Sequence, residues 1–245
     1  MALDAFALTI PGRRPSNEDA ICARVDLGLF VVADGMGGYE GGEIASALTI
    51  EAIHELVRRT AGGGDVFWPY PIDPRLSVGE NELVVATRLA ADRIARRRVG
   101  ELANMGSTVA ALRVAGEAVV VAHVGDSRVY RLRDGALAQL TVDHSLLQAL
   151  IASGRAPEDV AAFPFRNVIT RALGTDHPEP DVQRLAARAG DAYLVCSDGL
   201  TEGLDDDAIA ALLAGGAERA CRALVEAAFA AGSRDNISAI VVRLT

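Results

Sequence analysis

Four aspartates recur in one kind of setting, at Asp34, Asp126, Asp198 and Asp235. The apolar run Leu29–Ala33 stops at Asp34-Gly35, Ala118–Ala122 reaches Gly125-Asp126 two residues later, and Tyr193–Cys196 stops at Ser197-Asp198-Gly199. Asp235 stands instead just before a run, Ile237–Val242. In an antiparallel sheet the end of one strand lies beside the start of its neighbour, so the carboxylates can converge at one edge of a sandwich. Converged carboxylates without a counterion repel and raise one another's pKa. The chain has no Lys and few histidines near these residues in sequence, so the natural compensating charge is a hard divalent cation. Oxygen-only ligands favour Mg²⁺ or Mn²⁺ over Zn²⁺. Any one of these residues alone reads as an Asp-Gly turn cap; the repetition favours the metal reading.

The elements that must position them follow from local pattern. The β-branched runs read as strands, and Thr108–Val114 pairs with 118–124 as a hairpin across Ala115-Gly116. Glu43–Arg59 carries Ile44, Leu48, Ala52 and Leu56 along one helical face. Ser77-Val78-Gly79-Glu80 has the form of a capping box opening a second helix toward Arg98, with Arg96-Arg97-Arg98 suited to its C-terminus. Asp207–Leu213 and Ala217–Phe229 read as two more helices. Between the first two helices, 61–74 is a loop with Gly62-Gly63-Gly64, Pro69, Pro71 and Pro74, and it holds the sole tryptophan, Trp68. Helices set between groups of strands, rather than alternating strictly with them, predict one domain over 1–245 with an α+β layered sandwich rather than a doubly wound sheet.

Composition narrows the function classes. Of 245 residues, half are hydrophobic and 4% aromatic, enough for a core of Ala, Val, Leu and Ile. A net charge of −9 disfavours nucleic-acid binding. No apolar run is long enough to cross a membrane, and the first ten residues lack the form of a signal peptide. Cys22, Cys196 and Cys221 form neither a disulfide framework nor a zinc site, which points to a reducing compartment and a cytoplasmic protein, expected to be a monomer.

Further motifs stand in a fixed order: Arg14-Pro15-Ser16-Asn17-Glu18-Asp19, Ala33-Asp34-Gly35-Met36-Gly37-Gly38, Gly106-Ser107-Thr108, Val124-Gly125-Asp126-Ser127-Arg128, Thr141-Val142-Asp143-His144-Ser145, Val168-Ile169-Thr170-Arg171-Ala172-Leu173-Gly174, Cys196-Ser197-Asp198-Gly199-Leu200 and Arg234-Asp235-Asn236-Ile237-Ser238. In that order they resemble the motifs of the metal-dependent serine/threonine protein phosphatases of type 2C, bacterial form, from about Ala5 to Leu244. The resemblance implies a central antiparallel β-sandwich flanked by helical layers (α-β-β-α), one catalytic domain over 1–245 with a metal cluster at one end. It also implies hydrolysis of phosphoserine and phosphothreonine by a water activated at a binuclear Mn²⁺ or Mg²⁺ centre. It matches Asp34 with a bridging ligand, the Gly35 carbonyl, Asp198 and Asp235 with the other ligands of the pair, and Asp126 with a ligand of a third, weaker site. It matches Glu18 with a group that orients metal-held water and Arg14 with the phosphate clamp, a role suited to a planar fork. The alternative for Arg14 is surface pairing with Asp19. Partners implied are phosphorylated proteins and an opposing Ser/Thr kinase.

Two departures stand out. Met36 occupies the position where eukaryotic relatives place a leaving-group histidine, which leaves water or a group such as His123 to protonate the alkoxide. Glu202 replaces the usual Asp four residues after Asp198, and its longer side chain reaches the third site directly or through water. His54, His123, His177 and Arg128 read as structural, and the glycines of 37–42 as letting backbone approach the site before a helix begins. The segment 146–167 matches the family's flap. A cysteine-dependent phosphatase needs Arg six residues after its nucleophile, where this chain has Gly28, Glu202 and Ala227. No Gly-Asp-x-His-Gly stretch marks the other metallophosphatase class, and retention of the aspartates opposes a non-catalytic scaffold.

Overall fold

The structure, a computed structural model, describes residues 1–38, 40–62, 67–157, 159–160, 163–165, 167–175 and 178–245. Residues 63–66 of the 61–74 loop, Tyr39 of the glycine-rich stretch, residues 158, 161–162 and 166 of the 146–167 segment, and His177 lie outside the described residues. The strands are β1 (Leu3–Ile10), β2 (Asp19–Arg24), β3 (Leu29–Met36), β4 (Gly106–Ser107), β5 (Val109–Ala115), β6 (Ala118–Val124), β7 (Arg128–Arg133), β8 (Ala136–Gln139), β9 (Asp181–Ala186), β10 (Ala192–Cys196) and β11 (Ile237–Leu244). The helices are α1 (Gly41–Ala61), α2 (Val78–Arg97), α3 (Leu146–Ala152), α4 (Asp198–Gly203), α5 (Asp206–Leu213) and α6 (Ala217–Ala230).

Two antiparallel sheets result, one ordered β1-β11-β10-β7-β8 and the other β2-β3-β5-β6-β9, with β4 also paired to β3. The central strands are apolar on both faces because both are covered. Successive side chains of β3 point opposite ways: Leu29 and Val31 join α1 and α2 in one core, whereas Phe30 and Val32 face Val195, Ile240 and Val242 of the other sheet. On the far side, Leu194, Cys196, Ala239 and Val241 pack against Leu200, Ile209, Leu224 and Val225. The layers therefore run helix, sheet, sheet, helix. Each large apolar side chain buried this way contributes about 1.5–3 kcal/mol.

Local signals hold where expected. In α1, Leu48, Ala52 and Leu56 are buried and Ile44 packs against the same core. The capping box at α2 is complete: Ser77 N donates to Glu80 Oε2 at 2.8 Å, and Glu80 N donates to Ser77 Oγ at 3.4 Å. The β5–β6 hairpin forms with Ala115 opposite Ala118. One boundary needs correction. β3 does not stop at Asp34-Gly35 but runs to Met36, because Asp19 of β2 pairs with Asp34 and Ser107 of β4 pairs with Gly35. Neighbouring strands, absent from any local pattern, supply the partners that extend it.

Candidate metal-binding cleft

Asp34, on β3 of one sheet, meets Asp198, the first residue of α4 after β10 of the other. The two carboxyls stand close enough for each to perturb the other. Asp126 enters from the turn between β6 and β7, and Asp235 stands two residues before β11. All four line a continuous cleft of two adjoining cavities, about 560 and 480 Å³, which share Arg14, Asp126, Asn167, Asp198 and Asp235. The four carboxylates thus converge at one edge of the sandwich, with both sheets contributing.

The electrostatics reflect this crowding. Burial, then the charges of Asp19, Asp198, Asp126 and Asp235, hold the Asp34 carboxyl well above the usual carboxylate range. Burial and Asp235 push Asp198 up to about 6. Burial and Asp198 push Asp126 up to about 7. The buried Asp198 Oδ1 has no hydrogen-bond partner among the described residues. A buried acceptor left unpaired costs on the order of 1–3 kcal/mol. An all-oxygen donor set with mutually repelled carboxylates and an open buried oxygen fits a hard divalent cation.

Arg14 is on the rim. Its Nη2 donates to Asp235 Oδ2 at 2.7 Å, and the pair is partly exposed. This departs from pairing with Asp19, which faces inward. The Arg14 loop is held by Asn236, whose Nδ2 donates to Pro11 O and Ser16 O (3.0 and 2.8 Å) and whose Oδ1 accepts from Glu18 N at 2.8 Å. Glu18 lies against α1, and burial raises its pKa. Its main-chain oxygen accepts from Gly35 N at 3.1 Å. A Cβ on Gly42 would sit 2.4 Å from Glu18 Oε2, so only glycine leaves room for this carboxylate. That gives the glycine-rich stretch its role in close backbone approach.

Glu202 lines the cleft beside Asp126 and Asp198, with Oε2 accepting from Arg234 N at 2.9 Å. Arg128 forks onto Asp143 (Nε to Oδ1 2.9 Å, Nη2 to Oδ2 2.6 Å) and donates to Tyr130 Oη, fixing the strand after the Asp126 turn. Met36 lines the cavity with Gly37 and Gly38. The flap segment contributes Leu147, Gln148, Val160 and Asn167.

Sequence reasoning missed Asp19 and Asn236 as organisers. Asp19 Oδ2 lies 2.8 Å from Ser197 Oγ and 2.6 Å from Ser238 Oγ, tying one sheet to the other directly behind Asp34. Burial pushes its carboxyl up to about 7 against those hydrogen bonds. Its place beside Glu18 in the Asn17-Glu18-Asp19 motif was the available signal.

Another group of potential ligands, His123, His144 and Asp181, lies outside this cleft. The two rings stack with centroids 4.5 Å apart, and burial lowers both pKa values, which favours the neutral form of each. His144 Nδ1 accepts from Gly125 N at 3.2 Å, which leaves the proton on Nε2, facing Asp181 Oδ2 at 3.3 Å. Arg171 already sits there as a cation, 2.9 Å from Asp181 Oδ1. A metal would have to displace both. The group instead braces the turn at Gly125, and His123, bonded to Val142 O at 2.8 Å, keeps its structural reading.

Fold and cleft together define a layered α-β-β-α sandwich protein with an oxygen-lined cleft at the sheet ends whose donors suit a divalent cation. The family model for protein phosphatase 2C matches residues 13–222. The chain belongs to the protein phosphatase 2C family. It is 38% identical over 231 residues to the serine/threonine protein phosphatase PstP of Mycobacterium tuberculosis, covering 93% of this chain and 42% of that protein. The chain thus spans less than half the length of that relative. The crystal structure of the M. tuberculosis PstP/Ppp phosphatase superposes with a TM-score of 0.88 at 35% identity, covering 100% of this chain and 99% of the other. The PstP catalytic domain in complex with 2 manganese ions gives 0.84 at 33% identity, covering 98% and 97%.

Proposed function

We propose that this chain is a metal-dependent protein phosphatase acting on phosphoserine and phosphothreonine. The observation that carries the reading is the unpartnered buried Asp198 Oδ1 among Asp34, Asp126 and Asp235, with the Arg14 guanidinium at the mouth. Asp34, the Gly35 carbonyl, Asp198 and Asp235 would hold a pair of Mn²⁺ or Mg²⁺ ions, and Asp126 with Glu202 a third. Such ions supply the charge that makes a water acidic near neutral pH and offsets that of the phosphoryl group. Arg14 would grip two phosphoryl oxygens, and Glu18 would accept a hydrogen bond from water and orient it. Water adds to phosphorus as the bond to the serine or threonine oxygen breaks. That oxygen takes its proton from water, since Met36 has none to give and no histidine is among the described residues lining the cleft.

The substrate polypeptide would lie along the open cleft, with the flap side chains Leu147, Gln148 and Val160 beside it. An opposing Ser/Thr kinase is the expected source of its phosphoproteins. Among the described residues no helix is long and apolar enough to cross a membrane. The free cysteines, Cys196 and Cys221 buried and Cys22 half-buried, suit the reducing cytoplasm in which we place it. The test is hydrolysis of a phosphothreonine peptide with Mn²⁺, with Mg²⁺, and in EDTA after the metal content has been measured. Activity is expected only with metal; full activity in verified metal-free protein refutes the reading.

A further inference from the structure

Both oxygens of Asp235 are engaged. Oδ2 accepts from Arg14 Nη2 at 2.7 Å, and Oδ1 accepts from the main-chain N–H of Asn236 at 2.8 Å. Asp198, by contrast, keeps one oxygen open. Each oxygen keeps a second lone pair, but a cation bound at Oδ2 would stand beside the like charge of the guanidinium on the same atom, so loading favours displacement of a donor. The main-chain donor is fixed where Asn236 enters β11. The guanidinium is the movable one, because the Arg14 side chain is 55% exposed while its loop is anchored by Asn236 at Pro11, Ser16 and Glu18. Displacement thus swings a side chain and leaves the backbone in place.

We propose that Arg14 competes with the metal ions for Asp235, so that filling the cation site releases the guanidinium to bind phosphate. This rests on the metal-dependent reading above and adds a second role for Arg14. Before loading, one positive charge stands in at the mouth of an acidic cleft, beside Asp235, Glu18 and Asp198. After loading, the fork is free over the same carboxylates, where an anion can reach it. Binding of metal and of phosphate is then coupled favourably, and linkage makes the coupling reciprocal: phosphate that engages Arg14 tightens the metal.

The test reads metal binding directly. Mn²⁺ is titrated into metal-free protein at low salt, with free Mn²⁺ followed by its EPR signal and heats by calorimetry. Arg14→Ala removes an exposed ion pair and a like charge, so Mn²⁺ should bind about three- to tenfold tighter than to wild type. Arg14→Lys, which keeps the charge but not the fork, should fall between. Arg234→Ala, which removes a cation lining the same cavity, should stay within about twofold of wild type on the same scale. Inorganic phosphate should tighten Mn²⁺ more in wild type than in Arg14→Ala. Unchanged or weaker affinity in Arg14→Ala, or an equal gain in Arg234→Ala, overturns the competition. If wild type shows no saturable Mn²⁺ binding, the metal reading fails and this inference with it; saturable binding with an unresponsive Arg14→Ala sinks this inference alone.

Discussion

Asn236→Ala tests how the Arg14 loop is held. The side chain is buried, 5% exposed, and makes three hydrogen bonds to the 11–18 segment: two from Nδ2 to Pro11 O and Ser16 O, and one from Glu18 N to Oδ1. Truncation leaves two carbonyls and an N–H to find water at the cleft edge. At about 1 kcal/mol for each lost bond, plus partial desolvation, stability should fall by roughly 2–4 kcal/mol. The protein should still fold, since a domain of this size is stable by about 5–15 kcal/mol. The main-chain bond from Asn236 N to Asp235 Oδ1 does not depend on the side chain and survives. With the loop loosened, the guanidinium loses its fixed origin, and a displacement near 1 Å can cost up to about a hundredfold in rate. The assay is a urea denaturation curve together with kcat/KM on a phosphothreonine peptide, for Asn236→Ala, Arg14→Ala and the double variant. A ten- to hundredfold fall in kcat/KM is expected, by roughly 1.4 kcal/mol per decade. The double variant should be little worse than Arg14→Ala alone, because both remove one interaction. Stability loss with kcat/KM within about twofold of wild type, or full additivity, refutes the idea that Asn236 acts through Arg14.

Asp34→Ala and Asp235→Ala should each abolish phosphatase activity while leaving the circular dichroism spectrum unchanged; more than a few per cent of the wild-type rate in Asp34→Ala would mean that the site is misplaced. Gly42→Ala places a methyl 2.4 Å from Glu18 Oε2 and 2.9 Å from the Gly35 carbonyl carbon, so it should destabilise by about 1–3 kcal/mol and lower kcat; a neutral result in both assays would show that this close approach is not required. Cys196→Ser should stay active, because no thiol chemistry is involved, though a hydroxyl at a fully buried site costs about 1–3 kcal/mol. Burial pushes the Cys196 and Cys221 thiols up to about 12, so an alkylating reagent at pH 8 should label native protein at Cys22 alone; mass spectrometry showing native labelling at Cys196 would contradict the packing of β10.

Local sequence determined a good part of this protein. Continuous β-branched runs became strands covered on both faces, because only a strand sealed on each side is apolar throughout. The Ser77–Glu80 box capped its helix because all the atoms involved lie within four residues. The aspartates could be placed at strand and turn boundaries for the same reason. The half-buried strands β1, β2, β8 and β9 carried no such run and were not legible. Their position is fixed by partners far along the chain, as when β1 pairs with β11 from Leu3 opposite Leu244 to Ile10 opposite Ile237. Tertiary structure alone decided which charges meet. Arg14 chose Asp235, 221 residues away, over Asp19, five residues away, because β2 turns Asp19 inward onto Ser197 and Ser238. Only the stacking of two sheets brings Asp34 within reach of Asp198. Side-chain type and spacing say which groups could bind a cation; the register of strands and the packing of sheets decide which of them stand close enough to repel without one.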